Sequence, residues 1–152
     1  VSAFTPELIR LPLPDRAFVL AARAHAGQRD KAGLDYFTAH VYDVAERVGG
    51  QPGYVEAVAY LHDVLEDTDV TEAELRALFP EHVVDAVVAL TRAAGEGPDD
   101  YYRRVRGNAV ALLVKMADIE SNADPQRMAL LAEPVRERLM AKYAHAREVL
   151  HL

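Results

Sequence analysis

Apolar residues recur along this chain at the helical period, in runs divided by short stretches rich in Pro, Gly and Asp. Phe18, Ala21, Ala22 and His25 share one face of a helix predicted over 16–25, with Asp15 as its N-cap. Val41, Val44, Ala45 and Val48 do the same over 39–48, where Thr38 is the expected cap. From Tyr54 to Leu61 the run is almost wholly apolar, too rich in Ala and Leu to prefer a strand, and reads as a buried helix carried on to Thr68. Thr71-Glu72-Ala73-Glu74 is a capping-box sequence opening a short helix to Phe79, and Pro80 opens the next, through Val83, Val84, Val87, Val88 and Leu90. A helix is predicted over 99–106, and Asn108 caps a second nearly all-apolar helix over 109–117. Pro134 begins a last one, with Val135, Leu139, Tyr143, Ala146 and Leu150 on one stripe. No strand, hairpin or internal repeat interrupts this pattern. The predicted class is all-α, one compact domain over residues 1–152.

Polar groups intrude on the two most apolar helices at their C-terminal ends. In the first, His62 and Glu66 are four apart, as are Asp63 and Asp67, so each pair stacks on one of two adjoining helical stripes. Three carboxylates there face the negative end of the helix macrodipole, an arrangement that costs stability unless something positive sits beside it. The second apolar helix ends in Lys115, Asp118 and Asn122, and His40 opens the 39–48 helix. His40, His62, Asp63 and Asp118 therefore form a candidate ligand set. Two imidazoles and two carboxylates suit Mn²⁺, Fe²⁺, Co²⁺ or Zn²⁺, and on a six-coordinate ion they leave room for water and a phosphate oxygen. Glu66 and Asp67 would then orient the water or carry its proton.

Composition narrows the picture further. A chain of 152 residues can bury a core without staples, and the absence of cysteine excludes disulfides, thiolate zinc sites and a cysteine nucleophile. A reducing cytoplasm fits this composition, no apolar run approaches the roughly 20 residues needed to span a bilayer, and Val1–Arg10 has no leader pattern. The formal charge of −7 argues against nucleic acid or an anionic membrane as the main partner, while leaving room for a small anionic substrate in a local basic pocket. Oligomeric state is not readable from these features.

Several motifs occur together: His25-x-Gly27-Gln28, Lys31-x-Gly33, Tyr36 before His40, Leu61-His62-Asp63-Val64-x-Glu66-Asp67-Thr68, Leu90-Thr91, and Val114-Lys115-x-Ala117-Asp118 with Asn122. In this combination, over about residues 18–127, the chain resembles the HD-domain metal-dependent phosphohydrolases, and among them the hydrolase domain of RelA/SpoT-type alarmone enzymes of the stringent response. The resemblance implies an HD-domain helical fold, Mn²⁺ on His40, His62, Asp63 and Asp118, and water activation by Glu66 and Asp67. It implies removal of pyrophosphate from the 3′ position of ppGpp or pppGpp, giving GDP or GTP, with Lys31 and Asn122 holding the nucleotide. Tyr36 and Lys115 join the candidate substrate-binding set. No synthetase-like region is present, so the expectation is a stand-alone hydrolase.

This chain also departs from that pattern. Asp30 occupies the position of the family's base-stacking arginine, and Arg29 is the nearby replacement candidate. One extra residue separates the Gly33 loop from His40, the usual proline is missing, and Val41 follows the histidine. An Asp cannot stack as a guanidinium does, which keeps open an HD phosphatase acting on another nucleotide, such as the 2′-phosphate of NADPH or a nucleoside monophosphate. A nucleotide-sensing module without turnover is the alternative outside enzymes. His25 is expected to pack or to bond the loop, and His82, His145 and His151 to lie at the surface. Arg103, Arg104 and Arg106 read as a solvated face from which one residue could reach a phosphate.

Overall fold

A computed structural model describes residues 6–152, so the reading of Val1–Arg10 lies partly outside the described residues. After a 3-10 turn at Pro6–Arg10, the helices in chain order are α1 (Leu13–Ala24), α2 (Tyr42–Arg47), α3 (Gly53–Leu61), α4 (Val64–Asp67), α5 (Glu72–Leu78), α6 (Glu81–Ala89), α7 (Pro98–Arg106), α8 (Ala109–Asn122), α9 (Pro125–Met128) and α10 (Glu133–Leu150). A π-helical turn, Phe37–Val41, leads directly into α2. Among the described residues the β structure amounts to one isolated bridge, Arg29 with Asp35. The chain is all-α, as its periodicity predicts. No helix among the described residues is long and apolar enough to cross a membrane.

The fold is organised around α3. Val55 and every residue from Ala57 to Leu61 are buried, so this helix has almost no solvent face, as a continuous apolar run requires. Helices α1, α2, α6 and α8 pack around it. Close approach of α1 depends on Gly53, where a Cβ would stand 3.2 Å from Cγ of Pro14. Because α3 and α8 are in contact, the polar residues that each carries towards its C-terminal end come together inside the molecule. Helix α10 packs on α7 and brings its own polar residues over the same region.

The caps at Thr71 and Asn108 form as predicted: the Thr71 and Glu74 side chains make a reciprocal capping box, and Asn108 accepts from the backbone of Ala111. Two other predicted caps are corrected. Helix α1 begins at Leu13, because Pro12 and Pro14 suit a first turn, and Asp15 lies inside that turn. Asp35, not Thr38, caps the next helical segment, accepting from the Thr38 backbone N–H at 3.0 Å and its hydroxyl at 2.8 Å.

The predicted continuous helix from Tyr54 to Thr68 is also corrected. Helix α3 stops at Leu61, Asp63 sits at φ −110°, ψ 0°, and α4 is a separate single turn. This bridge-region backbone is sparsely populated and recurs at active sites. It releases His62 and Asp63 from the two helical stripes, so their side chains meet at a point. Helix α8, by contrast, runs past its predicted end to Asn122, which places Asp118 within regular helix.

Arg127 fastens these parts together. Its guanidinium donates to the Ala39 carbonyl at 2.8 Å and pairs with Asp30 at 3.0 Å, linking the π turn to the 26–35 loop. The Asp30 side chain is only 4% exposed, and its other oxygen accepts from the backbones of Ala32 and Leu34, both at 2.9 Å. Arg127→Ala strands that carboxylate, so a loss of about 3–5 kcal/mol is expected in denaturant unfolding, where an exposed pair such as Arg76–Glu72 is worth about 0–1 kcal/mol. A change below about 1 kcal/mol would mean that the loop does not depend on this contact.

Candidate metal centre and nucleotide pocket

Four predicted ligands meet where α3, α8 and the π turn converge. Donor atoms of His40, His62 and Asp63 lie within 4.8 Å of one another. His62 Nε2 is 3.1 Å from Asp63 Oδ2, and His40 Nε2 is 3.9 Å from the same oxygen. Asp118 Oδ1 adds a fourth donor, 2.9 Å from His40 Nε2 and 3.5 Å from His62 Nε2. Both imidazoles are almost fully buried.

The outer ring nitrogens are held by protein. His62 Nδ1 is 2.6 Å from the Ala59 carbonyl, which can only accept, so Nδ1 carries the proton and Nε2 is the nitrogen turned to the centre. His40 Nδ1 is 3.1 Å from the Ser121 hydroxyl. Tyr36 donates its phenol to Asp63 Oδ2, while Lys115 and Asn122 donate to the two oxygens of Asp118 at 2.9 and 3.1 Å. Ligands oriented by such outer partners are the usual construction of a metal site. His62 Nε2 is buried and has no hydrogen bond of its own, which suits a nitrogen that binds a cation.

The π turn explains how the extra residue before His40 is accommodated. A π turn holds one residue more than an α turn, and Tyr42 N–H reaches back to the Phe37 carbonyl across it. Tyr36 and His40 thus stay on one side, with ring centroids 5.4 Å apart and both reaching Asp63. The His25-x-Gly27-Gln28 motif has an equally local role. His25 Nδ1 is 2.8 Å from Gln28 Oε1, and the Gln28 amide donates to the Asp67 carbonyl at 2.7 Å, tying the first loop to α4. Gly27 permits that turn with φ +84°.

Electrostatics follow from this packing. Burial alone would lower the His62 imidazole, but the carboxylates of Asp63 and Asp118 outweigh it and hold the group well above its usual value. Burial pushes Asp63 and Asp118 up; His62 beside Asp63, and Lys115 with both imidazoles beside Asp118, bring them below the normal carboxylate range. In the absence of a cation those carboxylates favour a second proton on His62, at Nε2, which an ion bound there would displace. Cation affinity is expected to rise with pH until that proton is lost from the free protein, with proton release on binding. Calorimetry of Mn²⁺ binding in buffers of different ionisation enthalpy checks this, and the same heat in every buffer would contradict it.

The centre lies in the wall of a cavity of about 700 Å³ whose lining includes Lys31, Tyr36, Glu66, Asp67, Lys115 and Asn122. The predicted carboxylates differ in availability. Glu66 Oε1 accepts from the backbone N–H of Arg92 at 2.6 Å, fastening the turn after α6. Asp67 is pushed up to about 6 by partial burial and by Asp63 and Glu66. A cation beside it would lower that value, so Asp67 is ionised at neutral pH and able to accept a proton.

Arg29 lies outside the main cavity. It lines a neighbouring one of about 240 Å³ with Asp30 and Arg127, and donates to the Gly33 carbonyl at 3.2 Å. The two cavities share Lys31, Tyr36, Asn122, Leu139 and Tyr143. Asp30 points into its own loop and to Arg127, so it does not take over the stacking position of an arginine. Arg103, Arg104 and Arg106 do not line the cavity: Arg103 pairs with Asp100, Arg104 with Glu96 and α6 carbonyls, and Arg106 with the Val149 carbonyl. Ser121, Arg92, Lys142 and Tyr143 escape the sequence reading. Tyr143 falls there on an apolar stripe, and no spacing signal marks Lys142, which α10 alone carries to the cavity.

Known proteins similar to this chain share stretches of its sequence or its fold. No family model matches the chain. It is 40% identical over 80 residues to a probable guanosine-3′,5′-bis(diphosphate) 3′-pyrophosphohydrolase of Synechocystis, covering 51% of this chain and 10% of that protein. It is 30% identical over 113 residues to the guanosine-3′,5′-bis(diphosphate) 3′-pyrophosphohydrolase of Aquifex aeolicus, covering 68% of this chain and 16% of the relative. A Myxococcus xanthus relative described as a GTP pyrophosphokinase is 32% identical over 113 residues, 70% of this chain and 15% of its own length. The chain thus spans between 10% and 16% of the length of these curated relatives. A solved structure of a metazoan SpoT orthologue, described as hydrolysing ppGpp, superposes with a TM-score of 0.76 at 23% identity, covering 92% of this chain and 86% of that one. The chain has the all-α fold of that hydrolase, the helical HD-type fold the motifs imply.

Proposed function

We propose that this domain is a metal-dependent phosphohydrolase that removes the 3′-pyrophosphate of ppGpp or pppGpp. The observation that carries the reading is the convergence of His40, His62, Asp63 and Asp118, with His62 Nε2 turned to their centre, in the wall of a cavity also lined by Lys31 and Asn122. The activities ascribed to the Synechocystis and Aquifex relatives and to the metazoan SpoT orthologue support the substrate. The donor set fits Mn²⁺ and related divalent ions, and such an ion supplies Lewis-acid polarisation of phosphorus and a lowered pKa for water.

The remaining steps belong to the chain. Lys31 and Asn122 bind the nucleotide, and Lys115 neutralises Asp118 while bordering the same space. Asp67 accepts a proton from the attacking water, and Glu66 keeps the Arg92 turn against α4. Water adds to the phosphorus bonded to the ribose 3′ oxygen, that P–O bond breaks, and the proton returns to the departing oxygen. The products are pyrophosphate and GDP or GTP.

Asp30 motivates the second reading, a phosphatase of the NADPH 2′-phosphate or of a nucleoside monophosphate. Product analysis separates the two. Mn²⁺-loaded protein is expected to convert ppGpp to GDP and pyrophosphate while leaving NADPH and nucleoside monophosphates intact. Orthophosphate from either of those, with ppGpp untouched, would move the substrate; no turnover with metal bound would favour a sensing module. A cytoplasmic location suits such a substrate and the lack of cysteine.

A further inference from the structure

The same cavity carries a second charged surface. Lys31, Arg92, Lys115 and Lys142 all line it, brought from the first loop, the turn after α6, α8 and α10, in a chain whose formal charge is −7. Lys115 is engaged with Asp118 at 2.9 Å and lies 5.3 Å over the Tyr101 ring. The Arg92 guanidinium stands 5.5 Å over that same ring, so these two cations share one aromatic support. Among the described residues no carboxylate pairs with Lys31 or Lys142. Partial burial, then Lys115, Lys31 and Arg92, push the Lys142 ammonium below its usual value, against the pull of Asp118.

Asp63, Glu66, Asp67 and Asp118 line the same cavity and Asp118 matches Lys115, whereas Lys31 and Lys142 have no carboxylate partner among the described residues and are open to an anion that enters. The anion handled at the metal ligands does not account for Arg92 and Lys142, which sit on elements that contribute no ligand. We propose that Lys142 and Arg92 hold a second phosphate group of the nucleotide, its 5′-phosphate chain, and so select nucleotides phosphorylated at both ends. This inference rests on the hydrolase reading above. A cavity of about 700 Å³ is within the range that encloses a ligand of nucleotide size. Two flexible cationic side chains suit a phosphate chain of variable length, so GDP- and GTP-forming substrates are both accommodated. Glu66 connects the two functions, since it fixes the backbone of Arg92 from the helix that carries Asp67.

The test compares guanosine 3′-diphosphates carrying either a 5′-diphosphate or a free 5′-hydroxyl. Wild type is expected to favour the first, and Lys142→Ala to shrink that preference in kcat/KM by about 10- to 100-fold, the usual worth of a charge-assisted hydrogen bond, acting on KM rather than kcat. Lys142→Arg should restore most of the preference, and Lys142→Glu should reverse it. Lys142 is exposed on α10, so these variants are expected to fold, which their melting curves check. An unchanged preference in both Lys142→Ala and Lys142→Glu overturns the inference. GDP binding by calorimetry separates this failure from failure of the hydrolase reading. If ppGpp is never turned over but Lys142→Glu abolishes GDP binding, the phosphate site stands and the hydrolase reading falls. GDP binding that neither variant weakens overturns the site.

Discussion

Asp63→Ala is expected to abolish cation binding and turnover together. Asp63 contributes an oxygen 3.1 Å from His62 Nε2 and 3.9 Å from His40 Nε2, and its removal leaves the Tyr36 phenol without its acceptor. No neighbour can take its place, because Asp118 is already shared by both imidazoles, Lys115 and Asn122. Thermal unfolding with and without Mn²⁺ reads the loss apart from catalysis. A cation at a hundred times its Kd stabilises wild type by about 2.7 kcal/mol, a gain the variant should lack. If Asp63→Ala keeps both the Mn²⁺-dependent stabilisation and the activity, the ligand assignment is wrong.

Asp67→Asn should behave differently. It removes the proton acceptor without removing a ligand, so the Mn²⁺-dependent rise in melting temperature should persist while kcat falls by about 10²- to 10⁴-fold. Glu66→Gln is expected to cost less, since an amide oxygen can still accept the Arg92 N–H, although it removes a charge beside Asp67. Steady-state kinetics at saturating Mn²⁺ distinguish these roles. If Asp67→Asn raised only KM, Asp67 would be a binding residue and the base would have to be sought elsewhere.

Much of this arrangement is legible in the residues themselves. The apolar run of α3 demands burial on all sides, and polar groups at its end then have to find partners inside the protein. Burial of that kind, repeated in α8, singles out His62, Asp63 and Asp118 from their positions in the chain alone. It says nothing of the path of the backbone, since an i,i+4 pattern describes a straight helix and cannot reveal that the chain breaks at Asp63. The π turn before His40 is invisible for a similar reason: an inserted residue lengthens the spacing, and only packing decides whether a loop or a wider helical turn absorbs it. Arg92 and Lys142 carry no local signal, because they join the cavity through the long-range packing of α6 and α10. Asp30 shows the limit of comparison by motif. Its position invites a role at the base, whereas its side chain is occupied by its own loop and by Arg127.

The ligand arrangement requires one divalent cation to be held by two imidazoles and two carboxylates in the wall of this cavity. Anomalous diffraction from crystals grown with Mn²⁺ tests it most directly. The expected result is a single strong peak within bonding distance of His40 Nε2, His62 Nε2, Asp63 and Asp118, absent from Asp63→Ala crystals. A peak elsewhere, or none at Mn²⁺ concentrations that support turnover, would contradict it.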